Sequence, residues 1–554
     1  MSQANTALQP RTWASEWRAA FGAHWRAELA LLGALAGVFA ALTPLSDPDL
    51  PIHLATGEWI ARLGAVPRVE PFAWTRAGAP FQAYSWLPEL LFYAALKFGG
   101  PAGLRGLHAL FVVAAGAAVL VLGAAADWRP RVALAVATLN LVVAALVACC
   151  ARPQILLFSL IPLAWAAAFR ILRGGHVGRT VAALFAIAAL AASSHLLFPL
   201  TGAPLVLLAA RWRRGGPYGW GTVAAAALAV AAGWLASPYG LSWPDVFRLN
   251  FAPNALITYP SPLAEYAPGF GSAVALGVVP LAVVLALAAL PWGLSRVAMP
   301  GRERALAAVY WAVGLVGFAL AARALLVWWL LVLPWVGAAV EAADDALGGE
   351  RPAARQGRIV ALWALCSLLL LTRLAPIAAA EGAEGTVRTR TLPVPAAPWV
   401  DPLAAWLECH ARPGATGRLY TVHSYGSYII WRLPAYSPSI DGRTIFADSI
   451  AGAESYRGGW DPRPATYGPW AKADVAIVPA HFAAAAVLDT ARGWRRAATA
   501  EWSGVRAGLW VRDGWWARAG RPGSLPARQA FVSGPGAVCA AASGATAGGV
   551  LFRP

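Results

Sequence analysis

The chain has 554 residues, 59% of them hydrophobic and 13% charged, with a mean hydropathy of +0.56 and a formal charge of +17. A soluble globular chain carries about 25% charged residues, so the composition excludes an ordinary soluble protein. The basic residues are nearly all Arg, with Lys only at Lys97 and Lys472. They lie between apolar stretches and in the C-terminal third, which suits topology signals and anionic headgroups rather than a nucleic-acid groove.

Residues 1–27 are polar, rich in Trp and Arg, and show no signal-peptide cleavage pattern. A first helix is expected from about Glu28 to Thr43. Arg11, Arg18 and Arg26 precede it, so the positive-inside bias puts the N-terminal segment in the cytoplasm and a first loop, 44–84, outside. Within that loop Leu50 to Leu63 reads as a short helix lying in the membrane interface. Further apolar segments occupy about 85–98, 104–126, 132–150, 154–170, 180–210, 221–236, 273–292, 305–322, 324–340 and 359–377. Their lengths match the hydrocarbon core, and only helices satisfy their backbone there. The 180–210 stretch is too long for one untilted span and is punctuated by His195 and Pro199, so two short helices are expected. Eleven to thirteen transmembrane helices result, within a membrane domain of residues 28–390. Arg clusters around 170–179, 211–214, 296–304 and 351–358 read as cytoplasmic, yet simple alternation of these segments does not satisfy all of them.

After about residue 390 the pattern changes to short strand-like runs, RLYTV, SYII, DVAIVP and GLWVR, with a helix-like AAAAVLDTA between them. This predicts a soluble α/β domain over 391–520, on the same outer face as the first loop if the span count is odd. A Gly/Ala/Ser/Pro-rich tail, 521–554, reads as poorly ordered. The five cysteines show no metal-ligand spacing. Cys149, Cys150 and Cys366 lie in apolar runs as inert thiols, whereas Cys409 and Cys539 follow the last apolar segment and could pair in an oxidising compartment.

The residues able to carry chemistry are few. In Ser46-Asp47-Pro48-Asp49-Leu50-Pro51-Ile52-His53 two carboxylates sit one residue apart, just outside a helix end. They can act as a general base or hold a divalent cation, but Asp before Pro is also a common turn and cap signature, and on chemistry alone that explanation stands slightly ahead. His53, four residues after Asp49, could face it on a helix. Glu89 opens an apolar segment, where a carboxylate either caps or lines a cavity. Arg152, in ARPQ, and Arg323, in AARALLVWW, are cations near or within apolar runs, where a phosphate is a natural partner for guanidinium. Glu265 and His195 complete the polar set; a lone His such as His195 more often bonds between helices than catalyses. The sequence contains no nucleophile elbow, P-loop or zinc-ligand spacing.

Taken in order, DPDLPIHLATGEWIARLGAVPRVEPFAWTRAGAPFQAYSWLPELLFY, ARPQ, SSHLLFPLTG, SPYGL, AEY, RALLVWW, YGSYIIWRLP, SIDGR, DVAIVP and GLWVR resemble bacterial GT-C-type membrane glycosyltransferases. The resemblance covers about residues 28–515, and the first loop is its most specific part. It implies a multi-pass, mainly α protein of the bacterial inner membrane with a small C-terminal α/β domain outside the cytoplasm. It implies transfer of a sugar from a polyprenyl-phosphate lipid to a lipid, glycan or protein acceptor of the envelope, with no nucleic-acid partner. Asp47 or Asp49 would be the base or metal ligand and Glu89 a second acid. Arg323 and Arg152 would hold the lipid phosphate, with Glu265 and His53 as further substrate-binding candidates. The reading admits a divalent ion, Mg or Mn, on Asp49 and needs no nucleotide cofactor. The sequence departs from the family in the Leu-Pro-Ile before His53 and in the missing Asn-x-His context of His195, which weakens both histidines as site residues. The alternative is a non-catalytic transporter, flippase or assembly component for envelope polysaccharide, although no internal repeat supports it.

Overall fold

A computed structural model of the chain describes residues 45, 47–147, 152–212, 217–251, 278–295, 297, 299–320, 324–346, 397–441, 469–502, 504–521 and 530–532, with positions 30, 33, 34 and 37. The chain is a mainly α, polytopic membrane protein with a small C-terminal α/β region. It forms two compact units. A helical unit comprises Met1–Thr43, Ala102–Leu241 and Pro262–Ala379; a loop–sheet unit comprises Pro44–Pro101, Ser242–Ser261 and Ala380–Pro554. The first loop therefore groups with the C-terminal domain.

Helix α1 spans Leu50–Leu63, the expected bounds, and both ends follow from local chemistry. Pro51 sits in the first turn, where its missing N–H costs nothing, and Gly64 closes the helix in the left-handed region (φ 65°), its N–H bonding to the Ile60 carbonyl at 2.9 Å. Leu63 is exposed, but most of the helix's apolar residues face protein. Leu50, Leu54 and Ile60 are buried inside the loop–sheet unit, each contributing roughly 1.5–3 kcal/mol by removal from water. Gly57 allows the close approach this needs, because a Cβ there would lie 2.1 Å from the Glu89 carbonyl oxygen.

Helix α2, Trp86–Ala126, joins the expected 85–98 and 104–126 segments into one 41-residue element. It is interrupted at Gly100 (φ 60°, ψ −157°) beside Pro101, and its first part belongs to the loop–sheet unit. The expected 180–210 segment is indeed two helices, α5 and α6 below.

The helical unit continues with α3 Pro130–Val147, α4 Leu157–Leu172, α5 Val177–Ala192, α6 Ala203–Arg211 and α7 Trp220–Leu235. After α8, Trp243–Phe251, come α9 Val278–Ser295, α10 Gly301–Leu320 and α11 Leu325–Ala346. Among the described residues, Trp86–Ala126, Pro153–Leu172 and Leu325–Ala343 are long and apolar enough to cross a membrane, and Val132–Ala144, Val177–Ala192 and Phe198–Arg211 are shorter apolar helices. Buried polar groups tie the bundle. Asn140 donates to the Ala115 and Phe158 carbonyls and accepts from Trp329 Nε1 at 2.8 Å, joining α2, α3, α4 and α11. Arginines meet acids where helices end: Arg129 with Asp345, Arg173 with Asp127, and Arg211 with Glu303. With α10 packed along α11, these pairs place the 127–130, 172–177 and 346 ends together with the 211 and 301 ends, so Arg129, Arg173, Arg211 and Arg302 share one end of the unit; the 351–358 cluster lies outside the described residues.

The C-terminal domain is built from α12 Ala397–His410, β1 Gly417–Thr421, α13 His423–Arg432, β2 Tyr436–Pro438, β3 Val475–Pro479, α14 Ala483–Thr490, β4 Trp494–Trp502, β5 Val505–Arg512, α15 Asp513–Ala519 and β6 Ala530–Val532. The strands form one sheet in the order β2-β1-β3-β5-β4-β6. β1 pairs parallel with β2 and β3, β5 runs antiparallel to β3 and β4, and β6 is parallel to β4. RLYTV, DVAIVP and GLWVR are strands and AAAAVLDTA a helix, as expected. SYII is not a strand: Tyr425, Tyr428 and Ile429 recur at helical spacing and are buried in α13. Gly426 lets this helix approach the chain, since a Cβ there would meet the Ile440 carbonyl at 1.8 Å.

Backbone contact at Gly57 makes a direct prediction. Gly57→Ala, which forces α1 and α2 apart, is expected to lower thermal stability by about 1–3 kcal/mol, the usual range for overpacking. Gly106→Ala, where a Cβ meets nothing within 4 Å, is expected to be neutral or stabilising. Thermal unfolding of the purified variants checks both, and equal midpoints would contradict the contact.

Candidate active site

The acidic candidates fall at the junction of α1 and α2 in the loop–sheet unit. Asp47 is fully buried, and its Oδ1 accepts the Asp49 N–H at 2.8 Å while its carbonyl accepts the Leu50 N–H at 3.1 Å. That is the local turn the sequence suggested, and it commits one Asp47 oxygen. Asp49 occupies the N-cap position of α1, but its carboxylate makes no capping hydrogen bond. Turn chemistry therefore accounts for Asp47 and leaves Asp49 without the cap role.

One turn further, His53 points at α2 rather than forming an isolated i,i+4 pair with Asp49. Its Nδ1 lies 2.9 Å from Glu89 Oε1, with the two side chains 17% and 8% exposed. Glu89 sits in the first turn of α2, where the helix dipole favours an anion. Its Oε2 is buried and has no hydrogen-bond partner among the described residues. Burial alone would lower the His53 pKa, but the bond to Glu89 and the charges of Glu89, Asp49 and Asp47 outweigh it and raise it above 6.5. The four residues thus form one group: three carboxylates within electrostatic reach of a single imidazole.

The surrounding loop is fastened to the C-terminal domain. Glu70, buried, accepts the N–H groups of Phe72 and Ala73 at 2.9 Å and fixes the turn before Trp74. Trp74 Nε1 donates to the Leu419 carbonyl, Thr75 Oγ1 to the Ser439 carbonyl at 2.5 Å, and Ser437 Oγ to the Phe72 carbonyl. Helix α13 packs against α1. The bonds to the C-terminal domain carry no sequence signal, because each pairs positions far apart in the chain, and Glu70, although its bonds are local, is not among the sequence-predicted candidates.

Arg152 lies in the helical unit, extended (φ −109°, ψ 144°) before a short 3₁₀ turn at Pro153–Leu156. His195 accepts the Leu197 N–H at 3.2 Å in the break between α5 and α6, a local role. Arg323 and Glu265 lie outside the described residues. Among the described residues no group of three or more His, Cys, Asp or Glu side chains is arranged to hold a metal ion. Cys409 is disulfide-bonded; Cys539, its expected partner, lies outside the described residues.

No protein-family model and no curated protein matches the chain in sequence. Solved structures do match in architecture. The apo oligosaccharyltransferase of Archaeoglobus fulgidus aligns with a TM-score of 0.57 at 14% identity, over 82% of this chain and 70% of that one. ArnT from Cupriavidus metallidurans, bound to undecaprenyl phosphate, aligns with a TM-score of 0.54 at 13% identity, over 92% and 100%. The arabinofuranosyltransferase AftD from mycobacteria gives 0.54 at 16% identity over 88% of this chain, which spans 41% of AftD. The chain has the GT-C fold. At these identities the likeness is one of architecture, and within the GT-C fold the residues above are this chain's own.

Removing the Glu89 charge is expected to lower the His53 pKa. With labelled histidine, Glu89→Gln should shift the His53 titration downward, and an unchanged midpoint would show that the pairing does not govern the imidazole. The sign for stability follows: the pair's contribution is full below the unfolded-state value of about 6.5 and is lost as pH rises through the raised folded-state pKa.

Proposed function

We propose that the protein is a glycosyltransferase that moves a sugar from a polyprenyl-phosphate-linked donor to an envelope acceptor at the outer face of the bacterial inner membrane. The observation that carries this is the convergence of Asp47, Asp49 and Glu89 on His53 in a chain with the GT-C fold. The ArnT structure that matches it over most of the chain holds undecaprenyl phosphate, which supports a lipid-phosphate donor. Transfer from such a donor needs a base for the acceptor hydroxyl and positive charge for the departing phosphate. Asp49 is the favoured base, since it is half-buried and does no capping, and Asp47 holds the turn that presents it. Glu89 fixes the imidazole of His53 by their hydrogen bond. Arg152 and Arg323 remain the proposed holders of the lipid phosphate, and Glu265 a further acid. A divalent ion on Asp49, Mg or Mn, would draw its other ligands from the donor phosphate or from residues beyond those described. The hexosyl or pentosyl nature of the sugar is left to the acceptor assay.

Topology supports the outer-face assignment. Among the described residues three helices, or up to four, are long and apolar enough to cross a membrane; counting every apolar helix once, with the sequence's apolar segments at about 28–43 and 359–377, would give the odd number, eleven, that this reading needs. A cytoplasmic N-terminus then puts the paired Arg ends inside and both the 44–84 loop and the C-terminal domain outside. A disulfide at Cys409 agrees with an oxidising compartment.

Asp47→Asn and Asp49→Asn, each shown to fold, are assayed for transfer from polyprenyl-phosphate sugars to envelope acceptors, with and without chelator. Loss of the base is expected to reduce turnover by about 100-fold or more in Asp49→Asn, with a smaller loss in Asp47→Asn. Full activity in both variants would remove the proposed base.

A further inference from the structure

A second polar site lies in the C-terminal domain, at the edge of the sheet where β1 begins. An open cleft of about 660 Å³ is formed by the 412–417 turn, the start of β1, Ser437, Asp474 and α15. Three guanidiniums border it, Arg412, Arg418 and Arg518, against one carboxylate, Asp474. Several other arginines of this domain are paired with acids: Arg432 with Asp401 and Glu408, Arg495 with Asp513, Arg496 with Asp489, and Arg506 with Glu501. The three arginines of the cleft have no carboxylate partner among the described residues. Asp474 makes no ion pair with them, its Oδ2 accepting the Arg418 backbone N–H at 3.0 Å, and its single charge leaves the cleft with an excess of positive charge.

The frame is built rather than incidental. The Arg412 N–H donates to the Ala519 carbonyl at 2.6 Å and its Nε to the Gly520 carbonyl at 3.0 Å. Gly414 turns the loop at φ 77°, a conformation that favours glycine, and the buried Trp515 donates its Nε1 to the Thr416 carbonyl at 2.9 Å. Unneutralised guanidiniums on a fixed rim suit phosphate or carboxylate groups. The cleft is also continuous with the first loop: Ser437 bonds the Phe72 carbonyl, and the Arg418 guanidinium lies 5.7 Å over the Trp74 ring.

We propose that this cleft binds an anionic glycan, a sugar chain bearing phosphate or carboxylate groups, and so holds the acceptor beside the loop that carries the acids. The term acceptor rests on the transferase reading; the binding does not. A membrane surface is the poorer fit, because the large exposed apolar residues of this domain, Trp502 and Val505, belong to the β4–β5 hairpin and not to the cleft.

The test uses the full chain in nanodiscs of neutral lipid. Oligogalacturonate, a glycerol-phosphate oligomer and neutral maltohexaose serve as probes, with phosphatidylglycerol vesicles as competitor. Both anionic probes are expected to bind, more weakly as salt rises, and maltohexaose is not. Arg418→Ala and Arg518→Ala should each weaken binding about tenfold, ~1.4 kcal/mol. Arg418→Lys and Arg518→Lys should recover much of it, and Arg506→Ala should change nothing. Maltohexaose binding as well as the anionic probes, indifference to both Ala variants, or cleft-dependent displacement by the vesicles would each overturn the proposal. Asp49→Asn should abolish transfer while leaving probe binding intact, so the two readings fail separately.

Discussion

Three carboxylates lie within electrostatic reach of one imidazole here, and the bond between Glu89 and His53 ties that group together and raises the His53 pKa. The Glu89–His53 bond spans α1 and α2. It sits beside the contact at Gly57, where the helix backbones come closest. Removing one partner of a buried pair leaves the other charge uncompensated, typically at a cost of about 3–5 kcal/mol. Packing of the two helices and grouping of the acids are thus one constraint, and the loop from Glu70 to Thr75 is laid over that junction and fastened to the sheet.

The two units divide the work by solvent. The helical unit satisfies polar groups between its own helices, Asn140 through two backbone carbonyls and Trp329, and Trp165 through the Leu330 carbonyl, as suits a structure surrounded by lipid. The loop–sheet unit holds the titratable groups and many surface ion pairs. The break at Gly100 and Pro101 is where one helix passes from the first regime to the second.

Local punctuation was legible, and long-range partnership was not. Pro51 and Gly64 bracket α1 closely enough to set its bounds from sequence, and continuous apolar runs revealed β1, β3 and β5. SYII misled because α13 is buried on most sides, which erases the polar stripe that would mark a helix. WRRAATAEW hid β4, since alanine gives little strand signal. The division between the 85–98 and 104–126 segments was legible from the Gly-Gly-Pro that separates them, and the kink at Gly100 falls there. At the site, Asp47, Asp49 and Glu89 were visible as residue types. Their meeting at His53 was not, because Glu89 lies 36 positions away from it and the family departure around His53 argued against that residue.

The fastening of the first loop also sets an order of events during synthesis. Thr75 and Phe72 find their partners at Ser439 and Ser437, 364 and 365 positions later. At roughly 5–20 residues per second, the ribosome needs about 20–70 seconds to reach them. Through that interval α1 exists without α13, and the apolar side it will bury has no cover. Maturation is therefore limited by the last part of the chain to be made, and a nascent or shortened chain would be inserted in the membrane long before its loop could close.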